Sequence, residues 1–346
     1  MLPWLRRNFF STPFNSALTV VLVALAIWLG PGLLDWAVLG AVFWTADPNT
    51  CRSAVGACWA VIAEKHRVML FGTYPYDQQW RGLLVVALIL GMMLASTVRA
   101  LWGWRLLLAW AAALAVALLL QFGGFLGLSP VPTTRWGGLP LTLLLFVGTV
   151  VGGVPLAVLL ALGRRSDLPA IRMLCIGYIE TLRGIPLVNV LFMASLMIPL
   201  FLPEGVNFDK LLRAQVGMML FFAAYAAEVV RGGLQAVPRG QYEAADSLGA
   251  GYWDRTVRIV LPQALRIVIP PLVNDIIRAF KNTSLLVIIG LFDLLGGTMA
   301  AIEDPNWSRY YAEAYLFVAA IYFVVCFSMS QYSQFLERVL ARGRNF

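Results

Sequence analysis

The stretch LPLTLLLFVGTVVGGVPLAVLLAL, residues 139–162, contains no charged side chain. A helix needs roughly 20 consecutive apolar residues to cross the hydrocarbon core of a bilayer. Because lipid offers no water to unpaired backbone groups, a segment inside it satisfies those groups by forming a helix. Residues 139–162 are therefore predicted to form a membrane-spanning helix.

The rest of the chain also has the composition of a membrane protein. Of its 346 residues, 60% are hydrophobic and 13% are charged, whereas about 25% of the residues of soluble domains are charged. This composition excludes a disordered chain and argues against a soluble multidomain enzyme. A net charge of +8 would suggest nucleic-acid binding in a soluble protein, so the location of the charges has to be considered.

Further apolar runs on both sides of residues 139–162 predict seven more spans. These runs are Ala17–Phe43, Leu83–Thr97, Leu106–Leu120, Ile171–Leu202, Val216–Val230, Leu265–Gly296 and Tyr315–Met329. The predicted fold class is an all-α polytopic membrane protein with about eight transmembrane helices. A cleaved signal peptide is the alternative at the N-terminus, but the apolar stretch continues to Phe43, which favours an uncleaved first helix.

The distribution of Lys and Arg predicts the orientation of the spans. With the N-terminus inside, the inner segments hold 15 Lys and Arg residues and the outer segments hold 8. Positive residues concentrate on the cytoplasmic side, so both termini are predicted cytoplasmic, with an outer loop at 44–81 and an inner loop at 231–264. The net charge is then a topology signal and a contact surface for anionic lipid, without a role for nucleic acid.

The outer loop contains Cys51, Cys58 and His66, the only histidine of the chain. Extracytoplasmic compartments are oxidising, so Cys51 and Cys58 form either a disulfide or two free thiols. A single histidine excludes most His-based metal and acid–base sites, and no lysine follows a glycine as a phosphate-binding P-loop requires. We therefore expect no catalytic residue, no metal site and no cofactor bound by this chain.

The inner loop 231–264 is predicted to form two helices joined by a turn. The first, Tyr242–Leu248, stops at Gly249, and the second, Tyr252–Leu261, stops at Pro262. Small and apolar side chains there could receive a partner: Ala244, Ala245, Leu248, Tyr252 and Trp253. Alternatively, the hairpin is amphipathic and rests on lipid.

The spacing within this loop resembles the EAA loop of ABC importer membrane subunits. The matching residues are Glu243-Ala244-Ala245, Gly249 three residues later and, after nine more, Ile259-x-Leu261-Pro262. The resemblance implies that the loop forms a coupling helix that docks on a cytoplasmic ATPase, with Glu243 as an anchor through a charged hydrogen bond. It implies docking roles for Glu243, Ala244, Ala245, Leu248, Gly249, Tyr252, Ile259, Leu261 and Pro262.

Three other segments resemble the core helices of polar amino-acid permeases. They are Tyr178–Leu187 with Glu180, Arg183 and Pro186, then Ala224–Gly233, and Phe280-Lys281-Asn282-Thr283-Ser284-Leu285. The resemblance implies a five-helix ABC type I importer core at 136–346. Residues 1–135 form an N-terminal extension of three transmembrane helices, similar to one permease subunit of the general L-amino-acid importers.

The resemblance also implies a function and partners. The chain would translocate polar or general L-amino acids across the bacterial inner membrane by alternating access. Its partners would be a second permease subunit in a heterodimer, a cytoplasmic ABC ATPase dimer that binds ATP and Mg, and a periplasmic amino-acid-binding protein.

Charged and polar residues inside the spans mark candidate pairs and a candidate substrate path. Charges in lipid are costly and are usually paired or functional. The spacing of three residues allows local pairs Glu180/Arg183, Glu228/Arg231 and Asp275/Arg278, which either stabilise the bundle or face the path. The run Leu265–Gly296 is long enough that Pro270-Pro271 and Lys281–Ser284 are expected to break or kink it. Candidate path residues are Asn189, Asp275, Asn282, Thr283, Ser284 and Asp293.

Two other classes of membrane protein compete with this interpretation. A secondary transporter driven by an ion gradient would share the spans and the broken helix, but it should show two similar halves with matching interrupted helices, and no second break of this kind is present. A membrane-embedded enzyme is disfavoured by the single histidine. Only the importer predicts copurification with a stoichiometric ATPase.

Overall fold

The computed structural model describes residues 2–125, 127–203, 205–206 and 208–342, so residues 343–346 of the predicted core lie outside it. The α-helices are α1 Leu2–Phe9, α2 Pro13–Leu34, α3 Pro48–Ser53, α4 Ala60–Phe71, α5 Gln79–Thr97, α6 Trp104–Phe122, α7 Gly138–Arg164, α8 Pro169–Gly184, α9 Leu187–Phe192, α10 Ile198–Phe201, α11 Lys210–Ala236, α12 Arg239–Ser247, α13 Tyr252–Asp254, α14 Leu261–Asn282, α15 Leu294–Ile302 and α16 Tyr311–Arg342.

Shorter elements connect or extend these helices. The π-helical segments are Asp35–Leu39, Met193–Met197 and Arg255–Val260, and the 3₁₀ segments are Tyr76–Gln78, Arg99–Leu101, Thr133–Arg135, Thr283–Ile289 and Ser308–Tyr310. One two-residue strand, β1 (Phe292–Asp293), pairs in parallel with Gly137 and Gly138.

Within the described residues, seven helices are long and apolar enough to cross a membrane, and a bent pair of helices makes an eighth candidate span. The straight spans are Pro13–Leu39, Tyr76–Thr97, Trp104–Phe122, Gly138–Arg164, Lys210–Ala236, Tyr252–Ile289 and Ser308–Val339. The all-α polytopic architecture with about eight spans is thus confirmed. The prediction missed helix α4, which occupies much of the outer loop 44–81.

The predicted span Ile171–Leu202 is bent in the structure. Two helical segments, Pro169–Gly184 and Leu187–Phe201, meet at an angle of 107°. Ile185 and Pro186 between them have extended backbones. Because proline disfavours helical geometry in the residue before it, Pro186 ends α8 and redirects the chain.

The helix that follows the inner loop is continuous, which corrects two further expectations. Pro262 does not end a helix, because it lies in the first turn of α14, where a missing N–H is tolerated, directly after a π-helical turn. Pro270 and Pro271 lie inside α14 without ending it. The α-helix instead ends at Asn282, where the polar run begins a 3₁₀ segment.

Helices α7, α11 and α14 pack closely through small residues. A Cβ added to Gly153 of α7 would lie 2.5 Å from Cδ1 of Phe222 on α11. A Cβ on Gly233 of α11 would lie 2.9 Å from the carbonyl oxygen of Ala264 on α14. Small residues of this kind let membrane helices approach until their backbones nearly touch, and this packing positions the cavity described below.

The described chain forms two compact units. One consists of 2–66 and 301–317, and the other of 67–300 and 318–342. Helix α5 packs against α7 in the second unit. The division into an extension at 1–135 and a core at 136–346 stays a prediction.

In the first unit, a disulfide joins Cys51 and Cys58. The N–H of Cys58 donates to Oε1 of the buried Glu313 at 2.9 Å. An ion pair joins Nζ of Lys65 and Oδ2 of Asp304 at 2.7 Å. The hydrogen bond from the Lys65 ammonium, with one from the N–H of Asn306, holds the pKa of the Asp304 carboxyl below its usual range.

We expect acidification to lower the melting temperature of the Asp304→Asn variant less than that of the wild type. A carboxyl whose pKa is lower in the folded than in the unfolded chain stabilises the fold above its unfolded pKa, about 3.9 for Asp. That contribution is lost as the pH falls through the folded pKa. Melting temperatures of purified protein at about pH 6 and about pH 3 test this, with the exposed Glu303→Gln as control. An equal acid-induced loss in wild type and Asp304→Asn would contradict it.

Candidate functional site

The predicted coupling loop forms a hairpin in which α12 ends at a tight turn. Gly249 has φ +74°, a conformation that favours glycine. Its N–H donates to the carbonyl of Asp246 at 3.0 Å, and the N–H of Ala250 donates to the carbonyl of Ala245 at 3.1 Å. This pair of hydrogen bonds is a Schellman turn, so the sequence ends α12 and reverses the chain at a defined residue.

The hairpin exposes large apolar side chains to the surroundings. Leu248 is 85% exposed and Trp253 is 67% exposed, with Tyr252 and Val257 also exposed. Soluble surfaces rarely cluster such residues unless they bind another molecule. This end of the hairpin therefore has the character of a docking surface.

Of the predicted docking residues, Ala245, Ile259 and Leu261 are not exposed in this chain. Ala245 is buried against the π-helical segment Arg255–Val260, because consecutive helical residues point in directions about 100° apart and only Ala244 faces outward. Ile259 and Leu261 are half-buried in the continuous helix, and Pro262 is exposed.

The charged contact between the two arms of the hairpin involves Asp246, and the anchoring role of Glu243 stays a prediction. Glu243 is exposed, and the structure shows no ion pair for it among the described residues. Instead, Nη1 of Arg255 contacts Oδ1 of Asp246 at 2.6 Å and Oδ2 at 2.8 Å. Glu243 lies on the outer face of α12, whereas Asp246, three residues later, reaches the following helix.

A small cavity lies between α7, α9, α11 and α14. Its lining residues are Thr149, Leu187, Met218, Phe221, Phe222, Tyr225, Asp275, Arg278, Ala279 and Asn282. Asp275 is only 6% exposed, and its Oδ1 lies 3.0 Å from Nη2 of Arg278. The cavity thus presents an anion, a cation and an amide within mostly apolar walls, as small-molecule sites commonly do.

Asp275 and Asn282 are the two predicted path residues in this cavity. Thr283 is buried and donates to the carbonyl of Phe280 at 2.7 Å. Asp293 is buried and accepts from the N–H of Gly296 at 2.9 Å. The remaining two are Ser284, which donates to the carbonyl of Lys281, and the exposed Asn189.

The change of helix type explains why the polar run does not line the cavity as a whole. The α-helix ends at Asn282, and the 3₁₀ segment turns about 120° per residue. Thr283 thereby reaches the hydroxyl of Tyr322 at 3.2 Å, and the same hydroxyl lies 3.3 Å from Oδ2 of Asp293. These side chains hold α16 rather than face the cavity.

The sequence did not identify three residues that line the cavity, namely Arg278, Ala279 and Tyr225. A signal was present for the first two: Asp275, Arg278, Ala279 and Asn282 are spaced as one face of an α-helix. Tyr225 comes from α11, and no local pattern relates it to α14.

The predicted local pairs Glu228/Arg231 and Asp275/Arg278 form, and Glu228 also belongs to a charge network across helices. Glu228 contacts Arg231 at 2.5 Å, Arg164 at 3.2 Å and Arg183 at 3.5 Å. Glu180 contacts Arg164 at 2.9 Å, so the expected local pair of Glu180 with Arg183 is replaced. The reason is tertiary, because the ends of α7, α8 and α11 converge there and Arg164 bridges the two carboxylates.

Tyr225 connects this network to the cavity. Its ring centroid lies 5.4 Å from Cζ of Arg278 and 5.7 Å from Cζ of Arg183, and its hydroxyl donates to the Arg183 carbonyl at 3.3 Å. Guanidinium groups at these distances attract the face of an aromatic ring. The cavity and the charge network are therefore neighbours through one side chain.

Comparisons with known proteins place these features in a family. The family described as binding-protein-dependent transport system inner membrane component matches residues 153–342. The inner membrane amino-acid ABC transporter permease protein YhdY of Escherichia coli strain K12 is 48% identical over 99% of this chain and 93% of its own length. The glutamate/glutamine/aspartate/asparagine transport system permease protein BztC of Rhodobacter capsulatus is 39% identical over 98% of this chain and 93% of its own.

A solved structure resembles part of the chain. It is described as the crystal structure of an amino acid ABC transporter with histidines, and it aligns with a TM-score of 0.52 and 32% identity. The alignment covers 58% of this chain and 91% of that one. The remaining residues of this chain have no counterpart in that alignment.

Proposed function

The chain belongs to the family of binding-protein-dependent transport system inner membrane components, and from that premise we propose how it moves its substrate. It is an amino-acid ABC transporter permease of the bacterial inner membrane, with the type I importer core. The ion-gradient-driven alternative finds no support among these relatives. The orientation, the partners and the residues of the transport path are the proposed parts.

The chain is oriented with both termini and the hairpin Arg239–Asp254 in the cytoplasm. The excess of Lys and Arg in the inner segments supports this orientation. The disulfide Cys51–Cys58 supports a periplasmic position for the outer loop, because disulfides persist in oxidising compartments.

Four other subunits complete the transporter. A cytoplasmic ATPase dimer binds ATP and Mg, hydrolyses ATP and docks on the exposed hairpin residues, among them Leu248, Gly249 and Trp253. A periplasmic amino-acid-binding protein delivers the substrate. A second, different permease completes the membrane part, and an apolar surface supports its presence: none of the fully described residues of α2 is buried within this chain.

The cavity receives one amino acid as a zwitterion. Asp275 accepts the ammonium group, Arg278 binds the carboxylate and Asn282 contributes hydrogen bonds. The name of BztC covers glutamate, glutamine, aspartate and asparagine, and we propose polar L-amino acids of this kind as substrates here.

One observation carries the proposed coupling: a continuous helix runs from the hairpin to the cavity. The segment Tyr252–Ile289 begins at an exposed docking residue and contains Asp275 and Asn282. At 1.5 Å per residue, Tyr252 and Asp275 are about 35 Å apart along it. ATP-driven closure of the ATPase pair moves the hairpin, and the helix transmits that motion to the cavity, which opens alternately to the two sides.

Reconstitution in lipid vesicles tests this function. The chain is combined with its candidate second permease, ATPase and binding protein, and a panel of labelled amino acids is offered with and without ATP. We expect ATP-dependent accumulation of polar amino acids that requires both the ATPase and the binding protein. Failure of every amino acid to accumulate would contradict the substrate class, and uptake driven by an ion gradient without the ATPase would contradict the mechanism.

A further inference from the structure

Arg255 joins the two arms of the hairpin. It lies in the first turn of the long helix, and its Nη1 contacts both carboxylate oxygens of Asp246 on α12 at 2.6 and 2.8 Å. Its Cζ lies 5.9 Å from the ring centroid of Tyr242 on α12 and 6.0 Å from that of Tyr252. The guanidinium group therefore combines a charge-assisted contact with two aromatic faces, an arrangement that lysine cannot reproduce.

The α12 side of this contact is held in turn by the membrane helices. The hydroxyl of Tyr242 donates to the carbonyl of Leu234 on α11 at 2.8 Å, and Nη1 of Arg165 donates to the same hydroxyl at 3.1 Å. Cζ of Arg165 lies 5.7 Å from the Tyr242 ring centroid. Tyr242 thus contacts both Arg165 and Arg255, which come from different parts of the chain.

The backbone between the two arms of the hairpin restricts their relative movement less than these side-chain contacts do. Residues 248–251 form a turn that contains Gly249 and Gly251, and glycine permits more backbone conformations than other residues. Beyond the turn, Arg255–Val260 is π-helical, and π-helical turns are uncommon and often occur at functional sites. Side-chain contacts must therefore hold α12 and the long helix together.

We infer that Arg255 is a positioning residue that makes α12 and the long helix move as one body, so that displacement of α12 by the ATPase reaches the cavity. The inference rests on the proposed function. Arg255 is largely shielded, with 26% of its side chain exposed, and it acts through Asp246 and Tyr242. Without Arg255, the ATPase still docks on the outward side chains of the hairpin. The turn at residues 248–251 then bends, so α12 moves without the long helix.

Reconstituted complexes carrying Arg255→Ala test the inference, and the quantity to measure is the amount of amino acid taken up per ATP hydrolysed. Coupling free energies between two sites commonly correspond to factors of about 5 to 150. We expect uptake per ATP to fall at least about fivefold, while the ATPase still copurifies and still hydrolyses ATP. The reversed pair Asp246→Arg with Arg255→Asp should restore part of the uptake, and Arg255→Lys should restore little.

Arg258→Ala is the matched control. It breaks the neighbouring ion pair with Asp254, in which the Arg258 side chain is 81% exposed, and it should leave uptake per ATP unchanged. Unchanged uptake per ATP in Arg255→Ala would overturn the inference, and so would loss of ATPase copurification, because Arg255 would then only shape the docking surface. Failure of the wild-type complex to take up amino acids with ATP would instead contradict the proposed function, so the two failures are distinguishable.

Discussion

We expect the Gly249→Asp variant to insert into the membrane in normal amounts and to lose ATP-dependent amino-acid uptake. Gly249 has φ +74°, and no atom of this chain lies within 4 Å of a Cβ built on it. A side chain there strains the turn by about 1 kcal/mol but has space within this chain. It projects from the exposed hairpin, where it would hold the ATPase away and bury a charge at the contact.

The matched control for this variant is Gly127→Asp. Gly127 also has a positive φ, +77°, and an added Cβ also meets no atom within 4 Å, but it lies in the segment between α6 and α7. Backbone strain is therefore similar, and only the location differs. Membrane-protein yield, ATPase copurification and uptake should be measured for both. Normal uptake by Gly249→Asp, or equal losses in the two variants, would contradict the coupling role.

The double variant Asp275→Asn with Arg278→Gln is expected to fold and to lose most of its uptake. Replacing both charges together avoids leaving the buried Asp275 carboxylate unpaired, and replacing a whole pair is often neutral for stability. Hydrogen bonds to charged groups contribute about 1.5–3 kcal/mol each. Losing one such contact to each end of the amino acid should reduce uptake by at least about tenfold.

A control away from the cavity separates substrate binding from general effects of charge removal. Lys65→Gln with Asp304→Asn removes the ion pair of the first unit and should leave uptake near the wild-type level. Melting temperatures and uptake rates should be measured for both double variants. Wild-type uptake by the Asp275/Arg278 variant would show that this pair only stabilises the bundle.

The positions of the spans could be predicted from the sequence because lipid imposes a simple requirement. The uncharged run 139–162 became α7, Gly138–Arg164, with ends one and two residues away. The bend at Ile185–Pro186 was missed because the prediction treats Ile171–Leu202 as one span despite the Glu180, Arg183 and Pro186 within it. Composition reports that a segment is in lipid, but its direction depends on local backbone geometry.

The residues of the candidate site were harder to predict from the sequence than the spans, because contacts between distant parts of the chain determine which side chains meet. A spacing of three residues favours the pair Glu180/Arg183, yet Arg164 arrives from another helix and takes Glu180. The polar run Lys281–Ser284 was a correct marker of irregular backbone, but the transition to a 3₁₀ helix turns Thr283 away from the cavity. Such effects involve partners that are distant in sequence, so the spacing alone could not resolve them.

The close packing of Gly233 against α14 gives the long helix the geometry of a lever. Its contact at Val268 lies near the midpoint between Tyr252 and Asn282, about 24 Å from the first and about 21 Å from the second at 1.5 Å per residue. With the fulcrum at that contact, the two arms are nearly equal. Under the proposed coupling, we therefore expect a push at the hairpin end to move the cavity end by about the same amplitude in the opposite direction.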